Sequence, residues 1–270
     1  MTLGYIRCAG ALLAAFLMLP LHSAMSEPLR IYAAGSLTAA FTDMVKAFGA
    51  SEGDIATPLF GPSGVLRGKI EQGDPVDVFA SADMDQPRTL SRSHNGSPVV
   101  MFTRNRLCAL ARGDVGLTSD NLLDTLLKPS IRLATSTPGA DPGGDYAWAV
   151  FARAEAIHPG AQAMLQAKAL KLVGGSNTAP LVAGRGAVQG IFLANAADVM
   201  LGYCSSAEAV MQEVQGLANV PLPPELTVGP AYGLIVLSDH LLAARFALFV
   251  LSERGQTILR QHGFDPIGLP

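Results

Sequence analysis

Three short stretches of this sequence set hydroxyl groups and open backbone where a strand gives way to a helix. They are Gly35-Ser36, Pro62-Ser63-Gly64 and Pro142-Gly143-Gly144. The first N–H groups of a helix have no partner within it, and the helix dipole adds about half a positive charge there. A serine at such a junction either caps its own helix, contributing about 1 kcal/mol, or donates its hydroxyl elsewhere. Glycine lets another molecule approach the backbone closely. Several such junctions turned toward one point make an uncharged socket for an anion. Catalytic chemistry finds less support. No G-x-S-x-G elbow activates a serine, no C-x-x-C occurs, and His94, His158, His240 and His262 are scattered. The expectation is a binding protein with no catalytic residue, no metal and no cofactor.

The elements that would position these loops alternate. Leu29–Ala33, Thr57–Phe60 and Val76–Ala80 read as strands, with Pro58 pushing the second toward a sheet edge. Leu37, Ala40, Phe41, Met44, Val45 and Phe48 line one face of a helix. Val99–Thr103, Leu107–Ala111, Ile131–Thr135, Val199–Tyr203 and Leu234–Leu237 read as further strands. Asn121–Leu127, Tyr146–Ile157, Ala161–Leu172 and the tail from Leu241 to Gln261 read as helical. Strand–helix alternation with short connections predicts an α/β fold with mainly parallel sheets. In such sheets ligands settle at the carboxyl ends of the strands, where all three loops lie.

The N-terminus has the layout of a secretory signal peptide. Arg7 precedes an apolar run from Ala9 to Leu21, and Ala24-Met25-Ser26 offers small residues at a cleavage site. An uncleaved anchor is the alternative, although Pro20 interrupts the run. Beyond residue 26 there are 18 basic and 22 acidic residues, which argues against a nucleic-acid partner. Cys108 and Cys204 remain in that part, and one disulfide or two buried thiols are equally compatible with their strand-like surroundings.

"YAAGSLTAAF", "FGPSGVLRGKIEQGDPVDVFASAD", "LGYCSSA" and "RQHGFDPIG", in that order, resemble the periplasmic molybdate-binding proteins of ABC importers. The resemblance implies a two-lobed type II binding-protein fold, each lobe a mainly parallel sheet flanked by helices, closing on an oxyanion in the interlobe cleft. It implies residues 27–105 with 230–270 as the first lobe and 106–229 as the second, after a signal peptide at 1–26. It further implies a periplasmic monomer that delivers molybdate or tungstate to an inner-membrane ABC permease. Carried over residue by residue, the ligand-binding set is Ser36, Ser63, Ala82, Gly143, Gly184 and Tyr203. Gly184 rests on a one-residue shift in "AGRGAV", with Arg185 as the alternative.

A fully ionised tetrahedral oxyanion has acceptors only, and these residues are donors. Two features depart from that pattern. Arg185 would bring a full charge, and Asp141 and Asp145 flank Gly143. Either aspartate would accept a proton from a protonated oxyanion if turned inward, or else face water or cap the helix that follows. Another oxyanion or small anion is therefore the competing cargo.

Overall fold

The computed structural model describes residue 1 and residues 27–52, 55–93, 97–175, 178 and 181–268. Apart from Met1, the segment expected as a signal peptide lies outside the described residues, as does His94. The chain opens with β1 (Ile31–Ala34), α1 (Thr38–Glu52), β2 (Leu59–Gly61), α2 (Ser63–Glu71), β3 (Val78–Ser81), α3 (Asp85–Ser93) and β4 (Val99–Arg104). Then come β5 (Leu107–Arg112), α4 (Leu122–Leu127), β6 (Leu133–Ser136), α5 (Pro142–Ile157), α6 (Ala161–Lys168) and β7 (Leu170–Val173). They are followed by α7 (Ala187–Leu193), β8 (Val199–Tyr203), α8 (Cys204–Glu213) and β9 (Leu217–Pro221). The chain closes with β10 (Ala231–Val236), α9 (Leu241–Leu251), α10 (Glu253–Gln261) and β11 (Asp265–Pro266).

These strands form two sheets, ordered β11-β4-β10-β3-β1-β2 and β7-β6-β8-β5-β9. The chain crosses from the first to the second between β4 and β5, and returns between β9 and β10. Each sheet with its helices forms a lobe. Alternate residues of the first sheet feed two cores. Ile31, Ala33, Val78, Ala80 and Leu234 face α1, α9 and α10, where Phe246 packs edge-on against Phe41 and Phe48. Phe79 and Ile235 face α2 and α3 beside Leu66, Ile70 and Leu90. The second sheet is covered likewise, by α4, α5 and α6 on one side and α7 and α8 on the other. Covered on both faces, these strands read as nearly continuous apolar runs.

Two expectations change and one open question is settled. The sheets are mixed rather than mainly parallel. β1, β2 and β3 run parallel, as do β6, β7 and β8, but β10 and β5 pair antiparallel with their neighbours. The crossing strands cause this, because a chain that leaves one sheet for the other comes back in the opposite direction. The helix expected over Ala161–Leu172 stops at Lys168, and Leu170–Val173 becomes the edge strand β7. The cysteines, left open by the sequence, are joined: Cys108 and Cys204 form a disulfide. Pro58 does precede an edge strand, since β2 ends the first sheet. Among the described residues no helix is long and apolar enough to cross a membrane.

The disulfide spans a sequence separation of 96 residues and sits where β8 passes into α8. Cross-linking so long a loop restricts the unfolded chain, with a typical gain of about 2–4 kcal/mol. Replacing both cysteines with serine is expected to lower stability by about that amount. Denaturant midpoints of parent and variant check it, and equal midpoints contradict it.

Candidate functional site

The carboxyl ends of the parallel strands of both sheets carry the residues of interest. β1 ends in a tight turn, Gly35–Leu37, that leads into α1 and contains Ser36. Ser36 does not cap that turn; its Oγ lies 2.9 Å from the hydroxyl of Tyr232 on β10. β2 ends at Gly61, and Ser63 opens α2 behind Pro62, again without a side-chain cap. Ser63 is 1% exposed, and its Oγ accepts the Ala82 N–H at 3.1 Å from the end of β3. The capping alternative is thereby removed for both serines. An amide can only donate, so Ser63 accepts from Ala82 and keeps its own hydrogen for another partner.

The second lobe supplies the facing groups. β6 ends at Ser136, and the loop after it leads to α5, capped by Asp141 with Pro142 in the first turn. Asp141 Oδ1 accepts the Gly143 N–H at 2.9 Å, and Ser136 Oγ stands beside the same glycine. Of the two readings weighed for Asp141, the cap is the one observed. Tyr203 ends β8. A Cβ on Gly143 would stand 3.4 Å from the Tyr203 ring and 3.2 Å from Ser136 Oγ, so these groups share one spot. The Tyr203 hydroxyl is buried with no hydrogen-bond partner among the described residues. Burial pushes it well above the usual tyrosine range, and nearby Tyr232 and Asp141 add to this. It therefore keeps its proton and has a hydrogen to donate to a partner, with its oxygen also free to accept.

The lobes meet along a seam. The rings of Tyr203 and Tyr232 lie 5.8 Å apart, edge to face. The Gly64 N–H, one of the unmatched donors at the start of α2, donates across the seam to Ala140 O at 3.0 Å. A Cβ at position 64 would stand 2.6 Å from Gly139 O and 2.8 Å from Ala140 O. Glycine is required there because the opposite lobe, and not a ligand, comes close.

Ser36, Ser63, Ala82, Gly143 and Tyr203 thus border one seam. Gly184 and Arg185 are not brought to it. Gly184 is exposed at φ 71° with nothing within 4 Å of a Cβ position. Arg185 is exposed and pairs with Glu213 on α8 at 3.1 Å, as an arginine ahead of a helix start does. Trp148 packs on Phe151 in the second-lobe core. Residues that sequence reasoning missed are Ser136, Tyr232 and Asn105. Asn105 stands between β4 and β5, donates to the Tyr232 oxygen at 3.1 Å and is 1% exposed. Nothing in the local sequence marks it.

Three carboxyls lie near the seam, and Lys171 lines a pocket there with Gly64, Gly139 and Ala140. Asp83, Asp141 and Asp145 are all raised above the ordinary aspartate range by burial, and each of them also feels another carboxylate. Among the described residues no cluster of His, Cys, Asp and Glu is placed to hold a metal.

A family model described as "Bacterial extracellular solute-binding protein" matches residues 29–265. A protein of Pasteurella multocida (strain Pm70), known only as uncharacterized protein PM1146, is 36% identical over 240 residues, covering 88% of this chain and 98% of that one. Two solved structures share the fold. The sulfate-binding protein SubI from Mycobacterium tuberculosis H37Rv superposes with a TM-score of 0.74 at 20% identity, covering 89% of this chain and 87% of that chain. The Azotobacter vinelandii periplasmic molybdate-binding protein gives 0.68 at 19% identity, covering 90% and 99%. At these identities the superpositions speak for the architecture alone. The family match spans both sheets and every residue at the seam, and on it the chain belongs to the bacterial extracellular solute-binding proteins.

Proposed function

We propose that this solute-binding protein works in the periplasm, captures a tetrahedral oxyanion at the seam and delivers it to an ABC permease. Molybdate, with tungstate, is the cargo that fits the motifs best. The observation that carries the reading is the buried Tyr203 hydroxyl with no partner, set against the start of α5. An unmatched buried donor costs about 1–3 kcal/mol, and a ligand oxygen at that spot relieves the cost. Ser36 and Ser63 would supply further donors from the first lobe. Structural neighbours that bind molybdate and sulfate support the cargo class. Bonds to a charged acceptor contribute about 1.5–3 kcal/mol each, so a handful suffices without a counter-ion. The Gly143 amide is engaged by Asp141 in this structure, so it joins the ligand only if that carboxyl yields it. Ligand contacts from both lobes favour the closed arrangement by their differential affinity.

A second reading has a specific observation behind it. The buried carboxyl of Asp141 lies among the donors. A fully ionised dianion is repelled by it, whereas an oxyanion carrying a proton, such as hydrogen phosphate, donates to it.

Three outcomes test these readings by titration calorimetry with molybdate, tungstate, sulfate and phosphate. Tyr203→Phe is expected to weaken the preferred anion by one to two orders of magnitude, about 1.5–3 kcal/mol, while the unliganded variant melts no lower than the parent, since the change removes an unmatched buried hydroxyl. Parent-like affinity removes Tyr203 from the site.

Gly64→Ala is expected to weaken the same anion about tenfold or more, because closure now drives a methyl group into two carbonyls. The same clash is present in this structure without ligand, so the unliganded variant is expected to be less heat-stable as well. Loss of heat stability without loss of affinity contradicts the closure role.

Asp141→Asn keeps a capping side chain and removes the charge. On the first reading molybdate tightens about tenfold. On the second, phosphate weakens instead. Above the raised Asp141 pKa the parent carries the carboxylate, so on the first reading the difference between parent and variant grows as pH rises. A constant difference across pH means the carboxyl does not face the ligand.

A further inference from the structure

The hydrogen bond between Ser36 and Tyr232 has no assigned direction from its two hydroxyls alone. The surrounding network supplies one. The Asn105 side-chain oxygen accepts the Arg106 N–H at 2.8 Å. That amide is a donor, so the carbonyl end of Asn105 must face it; the flipped side chain would set two donors against each other. The amino end then donates both of its hydrogens, to Ser205 Oγ at 2.8 Å and to the Tyr232 oxygen at 3.1 Å. Tyr232 is fully buried and Asn105 is 1% exposed, so water does not substitute for either partner. With its oxygen accepting from Asn105, Tyr232 sends its single hydrogen to the remaining neighbour, Ser36 Oγ. Ser36 accepts, and its own hydrogen has no other partner among the described residues.

We propose that Tyr232, held by Asn105, is a positioning residue that fixes Ser36 as a hydrogen donor toward the seam and so makes that end of the site selective for an oxygen that bears no proton. Ser63 reaches the same state by a shorter route, through the Ala82 amide. Both serines accept from the protein behind them and donate forward. Tyr232 occupies one of the two lone pairs of Ser36 and leaves its hydrogen unclaimed, which favours a ligand oxygen that accepts at this position. The chain also joins the lobes, since Asn105 stands where β4 passes to β5 and Ser205 belongs to α8. The assignment rests on Ser36 contacting the ligand, as the functional reading has it.

A double-mutant cycle in the full chain tests it, with molybdate, tungstate, sulfate and phosphate titrated against parent, Ser36→Ala, Tyr232→Phe and the pair. Phenylalanine keeps the ring contacts that Tyr232 makes with Phe102, Tyr203 and Phe264. Tyr232→Phe is expected to weaken the preferred anion about threefold to tenfold. In the Ser36→Ala background the same change should alter affinity by less than about twofold, because Tyr232 acts through Ser36. Equal losses in both backgrounds overturn the proposal and leave Tyr232 a purely structural residue. A parent that binds none of the four anions overturns the functional reading and takes this assignment with it. Should Tyr232→Phe fail to fold, neutron diffraction from the parent decides the matter directly. The Tyr232 hydroxyl hydrogen must lie toward Ser36 Oγ, and a Ser36 hydrogen lying toward Tyr232 overturns the proposal.

Discussion

Buried hydrogen-bond donors have to be matched, and this fold leaves the Tyr203 hydroxyl unmatched at the place where helix starts from both lobes meet. Parallel strands all end on the same side, and helices begin there with free N–H groups. Two such sheets turned toward each other set α2 against the loop that leads into α5. The Tyr203 hydroxyl completes the arrangement from the end of β8. Lys171 lines a pocket with Gly64 and Ala140 at this seam, and the donors named here are otherwise neutral. The mixed topology serves the same end, since the antiparallel crossing strands β10 and β5 hold two parallel sets in fixed relation.

The donors are held in place before any ligand arrives. Ser63 is locked to Ala82, Ser36 to Tyr232, and Gly143 to Asp141. Tyr203 is paired in register with Leu107, and the next residue is tied to Cys108 by the disulfide. Such preorganisation removes ordering costs from binding. The Gly64–Ala140 bond links the two lobes directly across the seam.

Much of the scaffold was legible, because periodic burial is written locally. The face of α1 buries Leu37, Ala40, Phe41, Met44 and Phe48 as its spacing predicts, and β8 has the bounds read from the sequence. The strand-end serines were legible as chemistry, although their caps were not distinguishable from ligand donors. What stayed hidden depends on distance or on short weak patterns. Tyr232 meets Asn105 across 127 residues of chain. The strand β7 follows α6 so closely that its leucines extend the helical period. The helix α3 is mostly polar and gives little apolar signal. Gly64 was read as room for a ligand, and only the opposite lobe reveals what needs the room.

The two ends of the seam carry different protonation rules. At the first-lobe end, Ser63 accepts from the Ala82 amide, and in the direction proposed above Ser36 accepts from Tyr232. At the second-lobe end, Tyr203 also donates, but Asp141 is an acceptor whose burial favours its neutral form. A ligand spanning both ends therefore meets donors on one side and a titratable group on the other. If Asp141 is protonated, all of these side chains donate and the site fits an oxyanion with no proton. If it is ionised, the site fits one that carries a single proton directed at that corner. On the proposed function, cargo and pH would be coupled through this one carboxyl, while the backbone donors around it do not titrate.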